Sequence, residues 1–185
     1  MLEWRTIRPL RGLAFDVENM PGTYGPGDYT HPKLTALGCQ FLDAKRTKAW
    51  CFDRKDIPGM RAAAEGFRHL WDEADFVVGH NIRRHDKKLL DGFYTSLELP
   101  LLEPKRMVDT YLDQPKMQGL SRSLENLAHR WKCPIKKLHL SEHDWERAYD
   151  GHADGVALMR RRVVSDVQIS IWLFHELVER GLLRW

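Results

Sequence analysis

The sequence lacks paired cysteines. Its three, Cys39, Cys51 and Cys133, are odd in number and far apart, and no Cys-x-x-Cys occurs. A disulfide framework and a structural zinc site are therefore unsupported, and a reducing cytoplasm is the default compartment. Long apolar runs are missing too. No stretch approaches the roughly 18 apolar residues a membrane span needs, so no membrane partner is expected. The opening MLEWRTIRPLRG carries charges throughout and does not read as a signal peptide. There is no internal repeat and no low-complexity tract. Nor is there a large excess of one charge. The net charge of +3 and pI of about 8.8 point only weakly to a polyanionic partner.

What is present suits a folded chain. Hydrophobic residues make up 43% of 185, enough for a core, and 30% charged residues of mixed sign argue against disorder. Residues 1–185 read as one domain. Leu10 to Glu18 reads as a strand, and KLTALGCQFLD and TKAWCFDR as two more, joined as an antiparallel meander. Met20 to Pro32, rich in Gly and Pro, reads as an irregular loop. IPGMRAAAEGFRHLWDEA has helical spacing, with Met60, Ala64, Phe67 and Leu70–Trp71 on one stripe. DFVVGHN then looks like a buried parallel strand. RRHDKKLLDGFYTSL is helical, RMVDTYL a strand, and SRSLENLAHRWK a helix capped by Ser121 or Ser123. HLSEHDWERAYDGHAD reads as mostly loop or short helices. GVALMRRRVVSDVQISIWLFHELVERG closes the pattern as a long amphipathic helix with Gly181 at its end. The order predicts an α/β fold with a mixed central sheet flanked by helices.

One stretch conflicts with its surroundings. In GLAFDVENM, Asp16 and Glu18 sit inside an apolar strand. Residues two apart on a strand share a face, so the two carboxylates project side by side. Burial costs each several kcal/mol unless it is paired, whereas hard oxygen ligands suit Mg²⁺ or Mn²⁺. The alternative is a strand end with both acids solvated. Asp86 starts a helix just past the strand that delivers Gly79–His80–Asn81, and it suits either a site at strand ends or a helix dipole. Asp166 lies mid-helix beside an apolar stripe, where it meets a cation or pairs with Arg162 four residues earlier.

Together these stretches resemble the DEDD (DnaQ-like) 3′–5′ exonuclease family, which has an RNase H-like three-layer fold. FDVEN is similar to its first motif, VVGHNIRRHD to its second and VVSDVQISIWLF to its third. DT…SLENLA matches the segment between the second and third. The resemblance spans roughly residues 10 to 180. It implies that Asp16, Glu18, Asp86 and Asp166 bind two Mg²⁺ or Mn²⁺ ions, with Asn81 near the substrate. Met20 would either contact the terminal base or pack. The implied reaction is hydrolysis at 3′ ends of single-stranded nucleic acid, DNA favoured. The alternative is a nuclease-like module that binds nucleic acid with weakened or lost turnover. Oligomeric state is not signalled.

The departures from the family are specific. His85 takes an aromatic's place in the second motif. The family's general base is a Tyr four, or a His five, residues before the last Asp, and those positions hold Arg162 and Arg161. Arginine stays protonated and cannot act as a base, but it can bind phosphate or tie down Asp166. Among other histidines are His139, His143 and His152. On one unbroken helix His152 would lie about 21 Å from Asp166, at roughly 1.5 Å per residue, which is too far. Arg83, Arg84, Lys87, Lys88 and Arg160 to Arg162 adjoin the motifs and suit a phosphate backbone or a solvated face. Phe93, Tyr94 and Tyr24 suit base stacking or plain packing.

Overall fold

The computed structural model describes residues 9–21, 33–115 and 120–183. Tyr24 and most of the Gly/Pro-rich loop lie outside those residues. One mixed sheet holds five strands in the order β3-β2-β1-β4-β5. They are β1 Gly12–Asn19, β2 Leu34–Phe41, β3 Lys48–Cys51, β4 Phe76–Gly79 and β5 Arg106–Asp109. The first three form the expected antiparallel meander, and β4 and β5 join parallel on the other side of β1. The helices are α1 Ile57–Glu73, α2 Asp86–Ser96, α3 Leu124–Arg130, α4 Glu142–Tyr149 and α5 Ala153–Glu179. No helix among the described residues is long and apolar enough to cross a membrane.

Alternation along β1 builds a different core on each side of the sheet. Leu13, Phe15 and Val17 pack with Phe67 and Trp71 of α1 and with Leu89 and Leu90 of α2. The rings of Phe15, Phe67 and Trp71 meet at centroid distances of 5.7 to 5.9 Å in tilted and edge-on contacts, the geometry aromatic quadrupoles favour. Ala14 turns the other way, onto Val167 and Leu173 of α5 and Leu127 of α3. Beside it, Ala36 of β2 packs with Trp145 of α4 and Val163 of α5. The result is a three-layer α/β fold, with the mixed sheet between its helices. Asp16 and Glu18 keep step with Ala14 and so belong to the α5 side.

The segment read as mostly loop or short helices holds one such helix, α4, eight residues long and opened by a reciprocal capping box between Ser141 and Asp144. Its periodicity is faint because only Trp145 and Ala148 are buried, but the Ser-x-x-Asp start was a usable signal. Phe93 and Tyr94 are core residues, 3% and 0% exposed, and the Tyr94 hydroxyl donates to the Ala64 carbonyl. Neither ring is free to stack on a base. Of the two candidate caps for α3, Ser123 accepts the Asn126 amide.

The seat of α5 depends on one glycine. Gly38 of β2 is the cross-strand partner of Asp16. A Cβ at Gly38 would stand 2.9 Å from Val163 Cγ2 and 3.0 Å from Val167 Cγ2. The missing side chain lets α5 lie close over the sheet at the level of Asp16, and Asp166 sits between those valines in sequence. Gly38→Ala should therefore overpack this contact and cost about 1–3 kcal/mol. Urea unfolding should show a lower midpoint at an unchanged slope. An unchanged midpoint would mean that α5 shifts freely and that its seat is not fixed here.

Candidate metal centre

The chain reverses its direction of growth across the sheet at β1, with β2 and β3 added on one side and β4 and β5 on the other. In α/β sheets such a switch point leaves a crevice at the carboxyl ends of the strands. Asp16 and Glu18 come from the far half of β1, and the β1–β2 register slips between Glu18 and Asn19, a bulge that re-aims the strand end. Asp166 comes from the middle of α5. Asp16, Glu18 and Asp166 each offer a carboxylate oxygen, all within 4.8 Å of one another. Asp86, at the start of α2, leaves its own helix uncapped. Its Oδ1 instead accepts the Val17 amide at 2.9 Å, between the two β1 acids. The other oxygen lies 3.5 Å from His85 Nδ1. The solvated reading does not hold for Glu18, which is 6% exposed; Asp86 and Asp166 are 3% and 2% exposed, and Asp16 is half-buried.

Two side-chain cations reach into this cluster. Arg162 Nε lies 2.8 Å from Glu18 Oε1 and 3.3 Å from Asp166 Oδ2, and its guanidinium also donates to the Leu138 carbonyl. The ring of Trp145 lies 5.8 Å from that guanidinium. Lys137 Nζ lies 2.9 Å from Asp166 Oδ2. Nothing in the sequence pattern marks Lys137. It sits outside any periodic element, and only the tertiary fold brings it to the acids.

The electrostatics record the crowding. Burial pushes the Asp16 carboxyl well above its usual range, and Glu18, Asp86 and Asp166 add to the shift while Lys137 opposes it. Burial likewise raises Glu18 from 4.5 to about 7, with Arg162 opposing and Asp166 reinforcing. Two cations thus compensate the cluster only in part. A hard divalent cation suits this donor set, since carboxylate oxygens are the ligands Mg²⁺ and Mn²⁺ prefer.

The other singled-out residues fall in distinct places. Asn81 has a left-handed backbone, with φ at 66°, and its amide donates to Asp109. Arg83 is ion-paired to Asp113 and lies 3.8 Å from Asp109, on the loop that carries Asn81. Met20 packs against the core formed by Ala36, Trp145 and Val163, and it lines a cavity of about 210 Å³ with Glu142 and Glu146. Lys87 pairs with Asp91, and Arg160 donates to the Ala49 carbonyl. Arg84, Lys88 and Arg161 are exposed. His152 sits just before the unbroken α5, without a side-chain capping bond, so it stays far from Asp166. A larger cavity, about 460 Å³, is lined by Glu125, Lys132, Lys136 and Lys137 among others, and Lys137 also reaches Asp166. His80, held neutral by burial that pushes it down to about 4, bonds Thr110 Oγ1 through Nδ1 at 2.9 Å.

The raised carboxyls set a pH dependence. Between Glu18's unfolded value of 4.5 and its folded value of about 7, the native state holds more protons than the unfolded chain. Metal-free protein should therefore lose stability as pH rises through that window. Chemical unfolding in chelator across the window measures this, and Glu18→Gln should flatten the slope. A slope that the substitution leaves unchanged would assign the titration to another group.

No family model matches the sequence, and no curated protein does. A solved structure does: the family B DNA polymerase from the hyperthermophilic archaeon Pyrobaculum calidifontis is similar over 92% of this chain, with a TM-score of 0.65 and 21% identity. The match takes in 25% of the polymerase chain, so this chain spans about a quarter of its length. At that identity the likeness shows the shared fold, a mixed sheet flanked by helices.

Proposed function

We propose that this chain is a divalent-metal-dependent nuclease that removes nucleotides from the 3′ ends of single-stranded nucleic acid, DNA in the first place. The reading is carried by one observation. Asp16, Glu18 and Asp166, up to 150 positions apart in sequence, present carboxylate oxygens within 4.8 Å of one another in a pocket where they repel. Asp86 completes the set through its bond to the Val17 amide. Likeness to part of a DNA polymerase favours a nucleic-acid substrate.

Asp16, Glu18, Asp86 and Asp166 would hold Mg²⁺ or Mn²⁺, which when bound lowers the pKa of water and stabilises charge at a phosphoryl oxygen. The protein's own side chains do the rest. Buried carboxylates fix the ligand geometry, and the bulge after Glu18 aims the strand end toward the crevice. Exposed Arg84, Lys88 and Arg161 supply positive charge for a phosphate backbone. Asn81, on the rigidly held loop after β4, lies at the substrate side. With Arg162 where the family has its base, proton removal falls to water and metal, which predicts slower turnover by the roughly 10²–10⁴-fold a positioned base contributes.

A second reading, a nucleic-acid-binding module without turnover, is favoured by the same Arg162, which ties Glu18 to Asp166 with no ion needed. Degradation of a 3′-labelled single-stranded oligonucleotide in Mg²⁺ or Mn²⁺ separates the two. Asp16→Asn and Asp166→Asn should each lower the rate by more than the roughly 10–100-fold that losing an outer-shell partner costs. A circular single strand should resist. Background-level signal from wild type and both variants, alongside tight strand binding, would select the second reading. Equal cleavage of the circle would point to an endonuclease instead.

A further inference from the structure

We infer that Arg162, a fixed side-chain cation between Glu18 and Asp166, takes up carboxylate capacity that a second divalent ion would need, so that the cluster binds one divalent ion rather than two. The inference rests on the metal-dependent reading above and narrows its cofactor.

The two cations in the cluster differ in how firmly they are held. Arg162 rises from the interior of a 27-residue helix. Its side chain is 14% exposed and contacts Glu18, Asp166 and the Leu138 carbonyl at once. Trp145 lies against it within cation–π range. An ion bridging Glu18 and Asp166 would have to take both carboxylates from this guanidinium, leaving a largely buried charge without its ion-pair partners, which is strongly unfavourable. Lys137 is held differently. It comes from a loop, its side chain is 21% exposed, and its one ion-pair contact is with Asp166 Oδ2. A divalent ion can take the ammonium's place on that oxygen by turning the flexible side chain aside, with Arg162 Nε, 3.3 Å from the same oxygen, left where it is.

The test counts ions rather than turnover. The metal-free full chain is titrated with Mn²⁺, with calorimetry for affinity and the electron paramagnetic resonance of free Mn²⁺ for stoichiometry. Wild type should bind one ion. Arg162→Gln should bind two. Lys137→Gln should still bind one, more tightly by on the order of tenfold, because the competing cation is gone. Two ions in wild type, or one in a folded Arg162→Gln, would overturn the inference and leave a metal site standing. No saturable Mn²⁺ in any of the three would remove the metal site itself. If circular dichroism shows that Arg162→Gln fails to fold, the wild-type count decides alone.

Discussion

Four carboxylates gathered at the dry edge of a sheet cannot all stay ionised without cations beside them. That repulsion is the constraint to which the rest of the site answers. Taking such groups out of water costs several kcal/mol apiece, and their mutual Coulomb energy adds to it. The chain answers in three ways. It stations Arg162 and Lys137 among the acids, it lets Glu18 rise to about 7, and it gives Asp86 a backbone amide to bind. A local conflict of this kind persists only where the surrounding fold outweighs it. Here the opposing weight is the ring cluster of Phe15, Phe67 and Trp71 on the far side of the same strand.

The two faces of β1 make that opposition direct. One residue step separates Phe15, fully buried on the aromatic side, from Asp16 on the α5 side. The apolar face fixes the register of β1, because a slip of one residue would exchange the faces. The same register that buries Phe15 therefore forces Asp16 and Glu18 into the crevice. Gly38 then sets how close α5 can come, and with it the distance from Asp166 to Asp16. Site and core are one packing problem solved on a single strand.

This is also why much of the fold could be read from the sequence. Apolar runs with a period of two or of 3.6 record burial, and burial marks β1, β2 and β4 and the helices with a clear stripe, whereas β3, none of whose residues is buried, was legible from its β-friendly residues between turn signals. Asp16 and Glu18 stood out because they break a buried pattern. The unread parts have no period. Lys137 acts from a loop and meets Asp166 only because Pro134 and the residues after it fold back over α5. Arg83, exposed at the surface, is ion-paired to Asp113, thirty residues away in sequence, through a loop closure that no local pattern encodes. The brevity of α4 left its bounds open, although its capping box was present.

Asp109 shows why an acid's identity alone does not reveal its role. Like Asp16, it sits near the carboxyl end of a strand beside the crevice. It is 0% exposed and accepts backbone amides from Asn81, Arg83, Tyr111 and Leu112. Those donors meet the carboxylate's need for hydrogen bonds and pin the loop that carries Asn81. Little lone-pair capacity is left for a metal, so Asp109 is a structural hub. Asp16 is surrounded instead by other carboxylates, which add to the upward push that burial gives its pKa, with Lys137 opposing. An acid saturated by amides holds the fold together, whereas an acid saturated by like charge is held in place by the fold and needs a cation. That distinction, invisible in the letters Asp, separates the scaffold of this crevice from its chemistry.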